Sequence, residues 1–163
     1  MRTIDTDAAP RPAGHYSQAI AHGGLVFVAG QLPVDPRSPA SPPGDVEEQT
    51  ERALRNVEAI LHAAGTDLAH LVSVTVYVTD IALWPRVDAA YARVLGDHRP
   101  ARAVVPVKEL HHSFLVEIQA VAARSPSTSP VTRGVLASSS LTARGRAMPP
   151  PSRGAPEDPA LRR

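Results

Sequence analysis

The chain of 163 residues contains no cysteine. Without a thiol it has no disulfide framework, no thiolate nucleophile and no zinc site built on thiolates. Aromatic residues are also scarce, at 4% of the chain, and all six lie within the first 123 residues. The hydrophobic content of 43% is nevertheless enough for a core. The length indicates one domain with room for a tail.

Long apolar runs are absent as well. No run approaches the ~18 residues of a membrane-spanning helix. The N-terminal segment "MRTIDTDAAPRPAG" lacks the apolar centre of a secretion signal. We therefore expect a soluble protein of the cytoplasm without membrane contact.

Several catalytic signatures are missing. The sequence has neither common glycine-rich phosphate loop nor the nucleophile elbow of serine hydrolases. Its seven histidines include the pair His111 and His112, but neighbours on an extended chain point apart. Because no histidine or carboxylate spacing supports metal ligation, we predict surface histidines and no metal.

Charge divides the chain into two parts. Residues 1–123 hold 10 Lys+Arg and 14 Asp+Glu, whereas residues 124–163 hold 7 Arg and 2 acids. The second part is rich in Ser, Pro and Arg, so it cannot bury enough apolar surface to offset its ordering entropy. We predict a folded domain over 1–123 and a disordered basic tail over 124–163. The acidic balance of the folded part argues against nucleic-acid binding there.

Local signals predict the first strands and the main helix. Two short strands flank Gly23 and Gly24, a pair that suits a tight hairpin. Asp45 is a good N-cap for a helix, Glu48 completes a capping-box pattern, and Gly65 suits its end. The helix has one apolar stripe, formed by Val46, Ala53, Val57, Ile60, Leu61 and Ala64.

The second half of the domain reads as strand, helix and two strands. The segment "LVSVTVYV", residues 71–78, is the clearest strand. One of its faces is predicted to carry Val72, Val74, Val76 and Val78. A second helix is predicted near Trp84–Leu95, followed by the strands "ARAVVPV" and "SFLVEIQAVA". The order β-β-α-β-α-β-β indicates an α+β domain with two helices on one face of a mixed sheet. The other face then needs cover, for which an oligomer is a natural solution.

Two charged residues occupy unusual positions. Arg102 opens the strand that follows Pro100, and Glu117 lies between Val116 and Ile118 in the last strand. A carboxylate among apolar residues is costly unless it is paired or hydrogen-bonded. One interpretation is a salt bridge between Arg102 and Glu117 that fastens the sheet. The other is a small polar pocket in which the arginine binds a substrate carboxylate and the glutamate positions or deprotonates a water.

At these residues the sequence resembles the Rid family (reactive intermediate deaminase, also called YjgF or L-PSP). The resemblance covers roughly residues 8–123 and does not extend to the tail. It is carried, in order, by "GHYSQAI", "LVFVAGQLPVDP", "DVEEQTERALRNVEAILHAAG", "LVSVTVYVTDI", "VDAAYARVLG", "RPARAVVPVKEL" and "VEIQAVA". The combination of Pro-Ala-Arg with Val-Glu-Ile at this spacing is specific, although no single piece is.

This resemblance implies a chorismate-mutase-like fold and a homotrimer with pockets between subunits. The best-known activity of the family is hydrolysis of 2-aminoacrylate and related enamines or imines to a 2-keto acid and ammonia, without cofactor or metal. By position, the family's carboxylate-binding arginine falls on Arg102 and its water-positioning glutamate on Glu117. Substrate-binding positions fall on Tyr16, Gly30 and Val104.

Three positions depart from the family pattern. Ala29 stands where the family has a serine or threonine, which removes a hydroxyl from the pocket, and His15 replaces a proline. Asp88 replaces an asparagine that approaches a neighbouring subunit's site. In the pocket its added anion would repel a carboxylate substrate. The alternative is an exposed acid on the helix.

The residues leave several functions open. The first is deamination of 2-imino acids, and the second is action on another imine, enamine or keto intermediate, which Ala29 and Asp88 motivate. A third is a trimeric ligand-binding protein without catalysis. Ribonuclease activity, also reported for the family, is the least expected because the folded part is acidic.

Overall fold

The computed structural model describes residues 1–39 and 44–124, so all but the first residue of the predicted tail lies outside the described residues. The described part contains these strands and helices in chain order: β1 Arg2–Ile4, β2 Ala19–His22, β3 Leu25–Gln31, α1 Val46–Ala64, β4 Leu71–Val78, α2 Trp84–Leu95, β5 Ala101–Pro106 and β6 Val116–Ala123. Neither α1 nor α2, the helices of this part of the chain, is long and apolar enough to cross a bilayer.

The strands form one mixed sheet in the order β1-β2-β3-β6-β4-β5. The pair β4 and β5 is parallel, and the other neighbours are antiparallel. The predicted α+β architecture, with two helices packed on a mixed sheet, is confirmed. The structure adds β1, which the sequence analysis missed because three residues are too few to show a hydrophobic period.

The core lies between the sheet and α1. Every predicted member of the apolar stripe of α1 is buried, with exposed fractions of 0–1%. On β6 the side chains alternate between the two faces, since Val116, Ile118 and Ala120 face the core while Gln119 is exposed. Alternate strand positions therefore point away from the helices, onto a face that α1 and α2 leave open.

The predicted turns and caps are confirmed. Gly23 and Gly24 have φ values of 58° and 80° between β2 and β3, a conformation that glycine adopts without steric cost. At the start of α1, an Asp45 side-chain oxygen accepts a 3.0 Å bond from the Glu48 N–H, and Glu48 accepts from the Asp45 N–H at 3.1 Å. Gly65 ends α1 in the left-handed region.

The prediction for the valine face of β4 is wrong at its first position, Val72. Leu71 is 3% exposed and Val72 is 49% exposed, the reverse of the expected pattern. The pairing of β4 with β6 shifts register between Leu71 and Ser73, so one extra residue is inserted in β4. Such a bulge reverses the side-chain alternation before it, whereas Val74, further along, is buried as predicted.

The open face of the sheet carries both apolar and polar side chains. Phe27 of β3 is 45% exposed there and pairs across the sheet with Val121 of β6. On the next strand, the Tyr77 hydroxyl donates to Gln119 at 3.2 Å. The face that α1 and α2 leave uncovered is therefore partly apolar and partly polar.

Candidate functional site

A cleft opens beside the ends of β3 and β6. It has a volume of about 840 Å³ and is called here the glutamate cleft. Its sheet-side wall is formed by Tyr16, Ala29, Gly30, Tyr77, Glu117 and Gln119. The loop that follows β5 forms the opposite wall, including His111 and His112. Four of the predicted pocket residues, Tyr16, Ala29, Gly30 and Glu117, therefore share one cleft.

Gly30 positions the carboxylate of Glu117. The pairing of β3 with β6 is irregular between Val28 and Gln31, which is typical of bulges beside functional sites. A Cβ atom at Gly30 would overlap the Glu117 carboxylate and lie 2.9 Å from its Cδ. The absence of a side chain at Gly30 thus makes room for the glutamate.

The carboxylate of Glu117 has no protein partner in this cleft. Within residues 1–39 and 44–124, no hydrogen bond or ion pair engages it. Gln119, two residues along the same strand, differs in that its side-chain oxygen accepts a hydrogen bond from the Tyr77 hydroxyl. A carboxylate with free lone pairs in a concave site can accept a hydrogen bond from water or ligand.

Gln18 fixes one wall of the glutamate cleft, and the sequence analysis did not single it out. It is 1% exposed. Its amide nitrogen donates to the carbonyls of Thr6 and Pro10, each at 2.9 Å, and its oxygen accepts from the Thr6 N–H at 2.7 Å. These bonds anchor the N-terminal segment to β2, beside Tyr16. A buried amide that satisfies this many main-chain groups is costly to replace.

Two buried amides of α1 hold main-chain segments near the glutamate cleft, of which Leu32 and Val34 line it. Asn56 donates to the carbonyls of Leu32 and Val34, at 2.9 and 3.0 Å, in the segment after β3. Gln49 accepts from the N–H of Leu115, at 2.8 Å, just before β6. Gln49 and Asn56 are seven residues apart and both buried, so the signal available from the sequence was a pair of polar residues on one helical face.

The loop between β5 and β6 is held in an uncommon conformation. His112 and Ser113 have φ values of 59° and 56°, in the left-handed region that residues other than glycine rarely adopt. Both histidines of this loop are exposed, as predicted for His111 and His112, yet they line the glutamate cleft rather than a remote surface. Backbone strain of this kind clusters at binding and catalytic sites.

The arginine lies in a second cleft, of about 420 Å³, between β5 and α2. This arginine cleft is lined by Asp88, Tyr91, His98, Arg99 and Arg102 among others. The Arg102 Nη2 donates to Asp88 Oδ1 at 2.6 Å, and the guanidinium carbon lies 4.6 Å from the Tyr91 ring centroid. The Arg102 side chain is only 20% exposed. Asp88 is therefore the partner of this arginine and not merely an exposed acid.

Tyr91 is the buried floor beneath the guanidinium. It is 6% exposed, and its hydroxyl has no hydrogen-bond partner among the described residues. Burial raises the pKa of Tyr91 to about 12, against the opposing effect of the Arg102 charge. The ring thus stays neutral and supports the arginine through a cation–π contact.

Helix α2 brings Asp88 and Tyr91 to this cleft, and ion pairs tie it to α1. Arg86 donates to Glu47 at 2.6 Å and to Asp45 at 3.0 Å, and Arg93 donates to Glu51 at 3.0 Å. These pairs are exposed, so each contributes little to stability. Arg86 lies near the start of α2 and Arg93 near its end, so these pairs connect the two helices along most of α2.

Arg102 and Glu117 of one chain do not meet. Strand β4 lies between their strands, and along it Arg102 aligns with Val74 whereas Glu117 aligns with Tyr77. An offset of three residues places the two side chains on opposite faces of the sheet, on the order of 10 Å apart along the strand. The interpretation of a salt bridge between Arg102 and Glu117 within one chain is therefore wrong, because β4 separates their strands.

The last predicted position, Val104, packs against the core and lines neither cleft. It follows Arg102 by two residues on β5 and thus shares its face of the strand. Among the described residues, 1–39 and 44–124, no group of three His, Asp or Glu side chains is arranged to hold a metal ion.

Comparisons with known proteins agree with this architecture. The family model described as endoribonuclease L-PSP matches residues 6–124. A RutC family protein of Pyrococcus horikoshii is 43% identical over 119 residues, which cover 73% of this chain and 94% of the relative. A rat protein named 2-iminobutanoate/2-iminopropanoate deaminase is 37% identical over 127 residues, covering 78% and 93% of the two chains.

A solved structure gives the same result at the level of the fold. The Escherichia coli protein TdcF, crystallised with bound serine, superposes with a TM-score of 0.73 at 34% identity, covering 77% of this chain and 100% of its own. The family model spans more than half of the chain, and the two relatives above exceed 30% identity over most of their length. This chain belongs to the L-PSP family, also known as YjgF/RidA.

Proposed function

We propose that this protein is an imine deaminase of the cytoplasm that hydrolyses 2-imino acids, formed from 2-aminoacrylate-type enamines, to 2-keto acids and ammonia. The observation that carries the proposal is the carboxylate of Glu117, seated against Gly30 in the glutamate cleft without a protein partner. The kinship with the rat protein named as a 2-iminobutanoate/2-iminopropanoate deaminase supports the choice of substrate class.

The reaction needs few groups. The enamine tautomerises to a 2-imino acid, whose C2 is already electrophilic. Glu117 accepts a proton from a water while the water oxygen bonds to C2 of the N-protonated imine and the C=N electron pair moves to nitrogen, giving a neutral carbinolamine. Glu117 returns this proton to the nitrogen and takes up the hydroxyl proton as the C=O bond forms and the C–N bond breaks, which releases ammonia and leaves the 2-keto acid. One positioned acid–base group contributes roughly 10²–10⁴-fold, which suffices for a reaction that already proceeds in water.

Arg102 is the proposed anchor for the substrate carboxylate. Its guanidinium is pre-oriented by the Tyr91 ring and by Asp88, so little side-chain entropy is lost on binding. Only one of its N–H groups donates to a described residue. The remaining donors can form charge-assisted hydrogen bonds to a ligand carboxylate.

The proposal requires more than one copy of the chain, because Arg102 and Glu117 lie on opposite faces of one sheet. We propose a homotrimer in which each pocket joins the glutamate cleft of one copy to the arginine cleft of the next. The open sheet face, with Phe27 45% exposed, supports packing between copies, since exposed apolar patches mark interaction surfaces. Tyr16, 54% exposed at the glutamate cleft, would close the pocket over the ligand.

The test is the rate of 2-keto acid formation from freshly generated 2-iminopropanoate, with and without the protein. We expect the wild-type chain to accelerate hydrolysis and Glu117→Gln, which keeps the size of the side chain, to lose roughly 10²–10⁴-fold of that acceleration. The matched control is Glu58→Gln, which removes one carboxylate of α1 away from both clefts.

Two outcomes would contradict the proposal. One is a Glu117→Gln protein as active as wild type. The other is a wild-type protein that binds 2-keto acids but accelerates hydrolysis of no imine, which would favour a non-catalytic ligand-binding role.

A further inference from the structure

The arginine cleft contains charges of both signs on one surface. Asp88 Oδ1 accepts the 2.6 Å bond from Arg102, while its second carboxylate oxygen accepts no bond from the described residues. The Asp88 side chain is 49% exposed, so this oxygen is open to the cleft. A ligand that enters therefore meets free guanidinium donors and a free carboxylate acceptor side by side.

Such a pair discriminates between ligands by their charge pattern. A simple anion bound to Arg102 gains the arginine's attraction but is repelled by Asp88, a few ångströms away. A zwitterion, with a cationic nitrogen beside its carboxylate, places opposite charges against each member of the pair. Arg99, which also lines the cleft, leaves a net positive charge there and thus a place for the ligand's carboxylate.

We propose that Asp88 makes the arginine cleft selective for zwitterionic ligands, which carry a protonated nitrogen next to a carboxylate, over plain carboxylates. The inference deepens the proposed function and rests on it for the role of Arg102 as anchor. In that reaction the protonated 2-imino acid is the zwitterion and the 2-keto acid product is the plain anion. Asp88 thus favours the electrophilic form of the substrate and weakens retention of the product.

The experiment uses two ligands with the same carbon skeleton, L-2-aminobutanoate and 2-oxobutanoate, titrated calorimetrically against the full chain. For wild type we expect the amino acid to bind about tenfold more tightly than the oxo acid, a modest ratio because Asp88 is half exposed to solvent. In Asp88→Asn, which keeps an oxygen for Arg102 but removes the charge, the oxo acid should bind about tenfold more tightly than to wild type. The ratio should then fall to one or below.

The control is Glu51→Gln, which removes an equal charge that pairs with Arg93 outside the cleft. It should keep the wild-type ratio, and a shift as large as that of Asp88→Asn would overturn the inference by showing a long-range effect of net charge. Thermal melting of both variants checks that they fold. A wild-type protein that binds both ligands equally, or neither, also overturns it, as does an unchanged ratio in Asp88→Asn.

The outcome of this binding experiment can be distinguished from the outcome of the hydrolysis experiment that tests the proposed function. If the wild-type protein does not hydrolyse 2-iminopropanoate but Asp88→Asn changes ligand preference as predicted, the deaminase proposal is wrong and the proposed selectivity of the cleft stands. Hydrolysis by wild type with no dependence of ligand preference on Asp88 would do the opposite. If Asp88→Asn changes KM for the imine while kcat stays within about twofold of the wild-type value, Asp88 acts in ligand binding rather than in the chemical step.

Discussion

Gly30→Ala is the sharpest perturbation of the proposed catalytic group that leaves every ionisable residue in place. The added Cβ would overlap the Glu117 carboxylate and lie 2.9 Å from its Cδ and 3.3 Å from its Cγ. Glu117 is half-buried on the open face, so its side chain can rotate away. The carboxylate must then leave its position in the glutamate cleft.

The magnitude follows from opposing contributions. Rotation of Glu117 away from its preferred rotamer costs about 0.5–1.5 kcal/mol. Alanine lowers the entropy of the unfolded chain and offsets about 0.4–1 kcal/mol. Gly30 does not have a positive φ, so no backbone strain is added. The free energy of unfolding should change by less than about 1 kcal/mol, whereas displacement of the carboxylate by about 1 Å should lower the rate about 10²-fold.

The assays are urea unfolding and hydrolysis of 2-iminopropanoate on the same preparations. Gly14→Ala is the matched control, because a Cβ there meets only ring carbons of Tyr16 at 3.7 Å, an ordinary contact. It should resemble wild type in both assays. Wild-type activity in a folded Gly30→Ala protein would refute the reasoning that Gly30 determines where the carboxylate lies.

Three further changes test the structure around the clefts. Asn56→Ala leaves two main-chain carbonyls without their donors and should lower the free energy of unfolding by about 2 kcal/mol, and a loss near zero in urea unfolding would contradict this. Tyr91→Phe removes a buried hydroxyl without a partner and should raise stability by about 1 kcal/mol. Because the folded pKa of Tyr91, about 12, exceeds its ordinary value of 10.0, wild type should also lose stability as the pH rises from 10 to 12, and the variant should lose less. The Glu48 N–H holds the pKa of Asp45 below its ordinary value of 3.8, so that stabilisation is present above 3.8 and is lost as the pH falls through the lowered pKa. Asp45→Asn should therefore lose less stability on acidification than wild type, measured by thermal melting from pH 6 to 2.

Local signals account for the parts of the fold that the sequence predicted well. The ends of α1 are determined by Asp45, Glu48 and Gly65, whose effects act within one turn of the helix. The hairpin at Gly23 and Gly24 likewise depends on neighbouring residues alone. Such features can be predicted from the sequence because the residues that cause them are close together in the chain.

Non-local pairing accounts for the errors. The sequence gives no sign that β4 inserts between β5 and β6, so Arg102 and Glu117 were expected close together. The bulge that exposes Val72 arises from the register of β4 against β6, which periodicity in one strand cannot reveal. Asp88 was recognised as a departure, but its contact with Arg102 depends on how α2 packs beside β5.

The most direct test of the central claim, a site shared between copies, is complementation of two inactive variants. Arg102→Ala and Glu117→Gln chains carrying different affinity tags would be co-expressed and purified on both tags, so that every trimer contains both. Each mixed trimer then has one pocket with an intact arginine from one copy and an intact glutamate from the next, and should recover about a third of wild-type imine hydrolysis. A mixed trimer as inactive as its parents would contradict the shared site.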